Sequence, residues 1–228
     1  MRRSADGLRF LMLCLPIVLV AAAVAWVPSI YGGKTGATRT SGVRVRSDRE
    51  LQEQITLGRH MVVSHACGDC HGGGSDPSAA GWLDGMRDTI LQQFHVGPFV
   101  TRAKNLTPDV ATGTGSFTEQ QLFNALRYGL RPEETPDVEI TSTVPGQGNF
   151  PLHPHYLAIP MPWPSWRHMS DAELRAIAAY LKNGVKPVRH KVQDSEGPPD
   201  FWASEYTIAK IGPYPALPFP TANEKGAR

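Results

Sequence analysis

The chain has 228 residues, enough for one large domain or two small ones. Hydrophobic residues make up 41% and charged residues 19%, and the formal net charge of +2 provides no basic field of the kind nucleic acid requires. The 20 prolines and 22 glycines imply long connecting loops between few regular elements.

The N-terminus stands apart. Arg2, Arg3 and Arg9 precede an uncharged run from Phe10 to Val27, and Ala23-Val24-Ala25 fits a small-x-small cleavage pattern. As a helix this run would reach about 27 Å, close to the thickness of a bilayer's hydrocarbon core. Residues 1–27 therefore read as a signal peptide or a retained membrane helix, followed by a linker over 28–46. In both cases the basic end stays cytoplasmic and the rest is exported to the periplasmic side of a bacterial cytoplasmic membrane. Setting aside Arg2, Arg3, Arg9 and Asp6 leaves 20 basic and 20 acidic residues, so partner docking must rely on local patches. Cys14 lies in the apolar run behind Leu13, where a lipoprotein site wants a small residue, and reads as membrane filler.

Ser47-x-x-Glu50 is a capping box opening a helix with Leu51, Ile55 and Val62 on one face. That helix leads into Cys67-Gly68-Asp69-Cys70-His71 and then Gly72-Gly73-Gly74. Cys-x-x-Cys-His is the c-type haem attachment pattern. Two thiols one turn apart add to the two vinyl groups of one porphyrin, and the adjacent imidazole falls beneath the iron as its proximal ligand. A thioredoxin-like dithiol should open a helix within a βαβ pattern, and a structural zinc site needs four ligands where no second cysteine pair exists. One covalently held haem c is expected, with Cys67 and Cys70 as thioether anchors and His71 on the metal.

Further helices start at the capping boxes Thr118-x-x-Gln121, before Leu122, Phe123 and Leu126, and Ser170-x-x-Glu173, before Leu174, Ile177, Ala178 and Leu181. Asn183-Gly184 is expected to close the last one with a left-handed cap. Gly58 and Tyr180 suggest a close crossing of the first and last helices. No stretch sustains a period-two alternation, so the fold class is all-α with long loops around one haem. The proline- and glycine-rich segment 132–160 is long enough to be a functional loop that covers the haem or forms a docking surface.

Four methionines outside the apolar run compete for the second axial position. Met61 lies too close behind the motif to reach the opposite haem face. Met169 sits where a hydrophobic staple belongs, and Met86, in the loop after the motif, has nothing to support it. Met161, between Pro160 and Pro162, sits in a stiff extended loop suited to presenting a soft sulfur. It is assigned to the iron. Ligation through His153 or His155 would lower the potential instead and is the competing arrangement.

Residues 48–188 resemble a class I cytochrome c domain, and most closely those of the cytochrome subunits of membrane-bound alcohol- and aldehyde-type dehydrogenases. The resemblance rests on the haem motif, on Asn105-Leu106-Thr107-Pro108-Asp109 with Thr112-Gly113, and on Phe123-x-x-Ala125-Leu126-Arg127-x-Gly129. It is completed by the run from Met161-Pro162 through Trp166 to Tyr180-Leu181. It implies Met161 as the distal ligand, an Asn105–Pro108 turn packed on the haem edge, and a Pro98 carbonyl orienting His71. Such subunits commonly carry three domains of this kind, whereas this chain has one motif.

The resemblance implies a monohaem domain over 47–188 that passes single electrons and is not itself an enzyme. The donor would be a dehydrogenase or a quinol-oxidising complex, and the acceptor a downstream cytochrome or terminal oxidase. A structural docking role, or a haem that responds to gas or peroxide, is the alternative. The tail over 189–228, with Phe201, Trp202, Tyr206 and Tyr214, is too aromatic for simple disorder and is expected to wrap the domain or bind a partner.

Overall fold

Three capped helices carry the architecture of the computed structural model, which describes residues 46–87, 93–198 and 201–226. The apolar run 10–27 and its linker lie outside the described residues. Among the described residues, no helix is long and apolar enough to cross a membrane.

Helix α1 (Asp48–Ser64) starts at Ser47, whose Oγ accepts the Glu50 amide while Glu50 Oε2 accepts the Ser47 amide at 2.9 Å. A short α2 (Cys67–His71) follows. α3 (Glu119–Tyr128) repeats the box with Thr118 and Gln121, and α5 (Asp171–Asn183) with Ser170 and Glu173. Each box satisfies two amides that helix geometry leaves orphaned, which is why the starts fall where the sequence puts them. One-turn helices α4 (Trp163–Trp166) and α6 (Ile208–Ile211) complete the set.

α5 packs against α1 and α3. Its buried face is built from small residues, Ala176, Ala178 and Ala179, with Leu174, Ile177 and Tyr180. α1 answers with Gly58. A Cβ there would lie 1.9 Å from the Ala176 carbonyl oxygen and 2.7 Å from Tyr180 Cβ, so the expected crossing is present and only a hydrogen fits. The ring of Tyr180 lies over Gly184, which Ile55 also approaches, and its hydroxyl accepts a hydrogen bond from Trp82 Nε1 at 2.9 Å. Gly184 departs from expectation. Its φ of −103° is right-handed, so the helix does not end in a left-handed cap; glycine is needed because a Cβ would meet Tyr180 Cδ2 at 2.4 Å.

The fold is mostly helical, with one small addition. β1 (Phe94–Val96) and β2 (Phe99–Thr101) form an antiparallel hairpin, and Glu196 bridges to Val100 through two 2.8 Å backbone bonds. Three-residue strands are too short for alternation to register in sequence.

The segment 132–160 carries its own small core. Leu130, Ile140 and Phe150 are buried together against Tyr128 and Tyr156. α3 fastens it: buried Asn124 donates to the carbonyls of Pro136 and Val138, each at 2.9 Å, and Tyr128 Oη donates to the Ile140 carbonyl.

The tail packs on the domain. Trp202 is 1% exposed against Phe99, Tyr206 Oη donates to the Leu157 carbonyl at 2.8 Å, and Tyr214 Oη accepts from the buried Arg127 guanidinium. Arg127 also reaches Asp171 and the Arg167 carbonyl, while Arg167 holds the carbonyls of Ile211 and Gly212.

Candidate haem site

The site begins with a break in the chain. Ala66 takes left-handed dihedrals (φ 55°), which ends α1 and starts α2 in a new direction. One turn of helix then presents both thiols. Cys67 is buried and Cys70 exposed, and both are free. Burial pushes the Cys67 thiol up to about 12, so unlinked it is a poor nucleophile toward solvent oxidants. The chain after His71 doubles back through three glycines with positive φ, and Trp82 lies against Gly68 and Gly73. Gly85 N donates to the His71 carbonyl at 2.8 Å, and Leu83 N to that of Gly72.

His71 Nδ1–H donates to the Lys104 carbonyl at 2.7 Å. A carbonyl only accepts, so this contact fixes the tautomer and leaves the lone pair on Nε2. Burial pushes the ring below its ordinary value, with the Lys104 carbonyl pulling the other way, which favours the neutral form that ligates iron.

The expected partner was the Pro98 carbonyl, and that is corrected. Pro98 sits in the β1–β2 turn, with its carbonyl against Gly197. The carbonyl facing His71 comes from the residue just before Asn105. Sequence gives no signal for it, because every residue carries a backbone carbonyl.

Asn105 is 2% exposed and organises the turn that follows. Its Oδ1 accepts the Thr107 amide (2.9 Å) and hydroxyl (2.7 Å), and its Nδ2 donates to the carbonyls of Val188 (2.8 Å) and His190 (3.2 Å). Asp109 continues the turn: chiefly the Thr112 hydroxyl, with backbone amides adding, holds its carboxyl below the usual range. The Pro108 carbonyl lies against Gly115. Replacing Asn105 by Ala strands the Thr107 amide and the His190 carbonyl and leaves the Val188 carbonyl only the Thr107 hydroxyl at 3.2 Å. We expect a loss of about 3 kcal/mol from unsatisfied buried groups, which for a chain this size lowers the thermal midpoint by roughly 6–12 °C; calorimetry of the variant checks it.

Cys67 belongs to the main apolar cluster with Leu83, Phe123 and Leu126, and Met161 packs against that cluster. Met161 is held by its own amide on the Ala158 carbonyl and by Trp163 N on its carbonyl, each at 2.9 Å. Met61 and Met169 also reach the cluster, the first from α1 and the second beside the α5 cap, whereas buried Met86 lies outside it. His155 pairs with Glu134, and His153 is exposed. Among the described residues, no three His, Cys, Asp or Glu side chains gather to bind a bare metal ion.

These donors fit a haem: two thiols on one turn, a neutral imidazole with Nε2 free, and a thioether on the same apolar cluster as Cys67. Sequence reasoning missed Lys104, Trp82 and the contacts of the tail around Asn105.

Comparison with known proteins gives relatives of one kind, although no family model matches the chain. The gluconate 2-dehydrogenase cytochrome c subunit of Pantoea cypripedii is 26% identical over 152 residues, 66% of this chain and 28% of its own length. The fructose dehydrogenase cytochrome subunit of Gluconobacter japonicus is 23% identical over 177 residues, 75% of this chain and 29% of its own. The cytochrome c subunit of the alcohol dehydrogenase (quinone) of Gluconobacter oxydans is 31% identical over 96 residues, 41% and 16%. The chain thus spans at most 29% of the length of these relatives. By residues and by comparison alike, it is a distant relative of the cytochrome c subunits of gluconate, fructose and alcohol dehydrogenases.

Proposed function

We propose that the protein is a monohaem c-type cytochrome of class I architecture, exported across the bacterial cytoplasmic membrane, that transfers single electrons. The observation that carries this reading is the Cys67-x-x-Cys70-His71 turn, whose imidazole has Nδ1–H committed to the Lys104 carbonyl and Nε2 left for iron. Haem c supplies the one-electron ferric/ferrous couple. Cys67 and Cys70 would hold it covalently, His71 and Met161 would ligate its iron, and the apolar cluster around Cys67 would exclude water. With both iron ligands supplied by the chain, its work would be to hold them and set the potential.

The donor is a dehydrogenase or a quinol-oxidising complex on the periplasmic face, and the acceptor a further cytochrome or terminal oxidase. The names of the relatives, all subunits of dehydrogenases, support the first of these. The arginine-led run over 10–27 directs export, as an anchor or as a cleaved signal.

Intact-mass analysis of the protein, produced in cells that mature c-type cytochromes, tests the reading. The mass is expected to exceed the polypeptide's by a single haem, and the double variant Cys67→Ala, Cys70→Ala to show no addition. A wild-type protein that keeps two titratable thiols and gains no haem would sink the proposal.

A further inference from the structure

Residues 188–196, which follow the last long helix, grip both chain segments that flank His71. On one side, Val192 is 4% exposed and packs against Gly85, whose amide donates to the His71 carbonyl, and His190 Nδ1–H donates to the Asp84 carbonyl at 2.7 Å. On the other side lies the stretch that ends in the Lys104 carbonyl. Its hold is continuous: Val100 pairs with Glu196, and the buried Arg102 donates to the Asp194 carbonyl (2.8 Å) and to Glu196 (2.9 Å). Lys104 Nζ donates to the Gln193 carbonyl at 3.1 Å and Asp194 Oδ1 at 3.4 Å, and Asn105 holds the carbonyls of Val188 and His190.

A carbonyl in a loop is a poor fixed acceptor unless something pins its peptide plane. Here Arg102, Lys104 and Asn105 are each tied to the same extended segment, while the Ala103 carbonyl is held from the other side by the Met86 amide. We propose that residues 188–196 form a strap that positions the Lys104 carbonyl on His71 Nδ1 and so tunes the haem potential, with Arg102 and the Lys104 ammonium as its positioning residues. The inference rests on the haem reading above. A firm Nδ1–H donation makes the imidazole more basic and favours the ferric state. A slack strap weakens that donation and favours the ferrous state.

The position of Lys104 permits a clean test, since changing its side chain leaves the carbonyl in place. In the full-length, haem-loaded protein, Lys104→Met is compared with Lys104→Arg, which keeps both acceptors in reach. In Lys104→Met the His71 Nδ1–H proton of the ferrous protein should exchange with solvent about tenfold faster by NMR. The reduced-to-oxidised ratio at fixed poise should rise about tenfold, an upward shift of roughly 59 mV for a one-electron couple. Lys104→Arg should match wild type in both. Arg102→Gln should shift both readouts in the same direction. Should the buried Arg102 variant fail to fold, Asp194→Asn replaces it, because that side chain is 77% exposed. Unchanged exchange and potential in haem-loaded Lys104→Met and its companion variant overturn the strap while leaving the haem assignment standing. A wild-type protein with no covalent haem overturns both.

Discussion

Replacing Gly58 by Ala is expected to cost about 3 kcal/mol or more, the upper range for overpacking a core. In an exposed helix the same change gains about 1 kcal/mol, because Gly is the poorer helix former. The sign reverses here because the new methyl would meet the Ala176 carbonyl oxygen at 1.9 Å and Tyr180 Cβ at 2.7 Å. The first of these is backbone and cannot rotate aside. α1 must therefore lift from α5, which draws Ile55 away from Gly184 and the Tyr180 ring beside it and loosens the bond between Tyr180 and Trp82. Thermal unfolding should show a midpoint lowered by roughly 6–12 °C. An unchanged or raised midpoint would mean that the crossing is not as tight as described.

The second large effect is on potential. Met161→Ala should remove the weak red absorption band of sulfur-ligated ferric haem and lower the potential by about 0.2 V, a fraction of the roughly 0.8 V that axial ligation spans. A soft thioether favours ferrous iron, so its loss shifts the couple downward. The variant's ferrous form should also bind carbon monoxide rapidly, whereas wild type should not. Met86→Ala should do none of this, because Met86 lies outside the cluster that holds Cys67. If Met86→Ala removes the band and Met161→Ala leaves it, the ligand assignment passes to Met86. Rapid carbon monoxide binding by the wild-type protein would argue instead for an open, gas-responsive iron.

The parts of this molecule legible in its sequence are those settled by short-range chemistry. Ser47, Thr118 and Ser170 start helices because a hydroxyl and a carboxylate or amide three residues on can satisfy amides within one turn, whatever surrounds them. Gly58 and Tyr180 were readable as a pair because a missing side chain in one helix calls for a large one opposite. The cysteines and His71 carry their chemistry in their order.

What was not legible depends on backbone atoms and on distant chain. The carbonyl that orients His71 belongs to Lys104, but nothing in a lysine announces that role, and the proline that resemblance suggested sits in a hairpin turn instead. Asn105 was noticed for the haem edge; that its amide also ties the turn to Val188 and His190, residues far along the chain, had no local signal. Gly184 looked like a cap by its position after Asn183. It is required by the Tyr180 ring, a tertiary demand that a one-dimensional pattern cannot separate from a local one.

The contacts of residues 188–196 also impose an order in time. Cys67, Cys70, His71 and Met161 all leave the ribosome, and on the proposed route the membrane, before this segment does. On the proposed strap, His71 would emerge with its acceptor not yet held. The arrival of residues 188–196 would then fix the ring, so that this segment would act as a latch closing behind the haem turn.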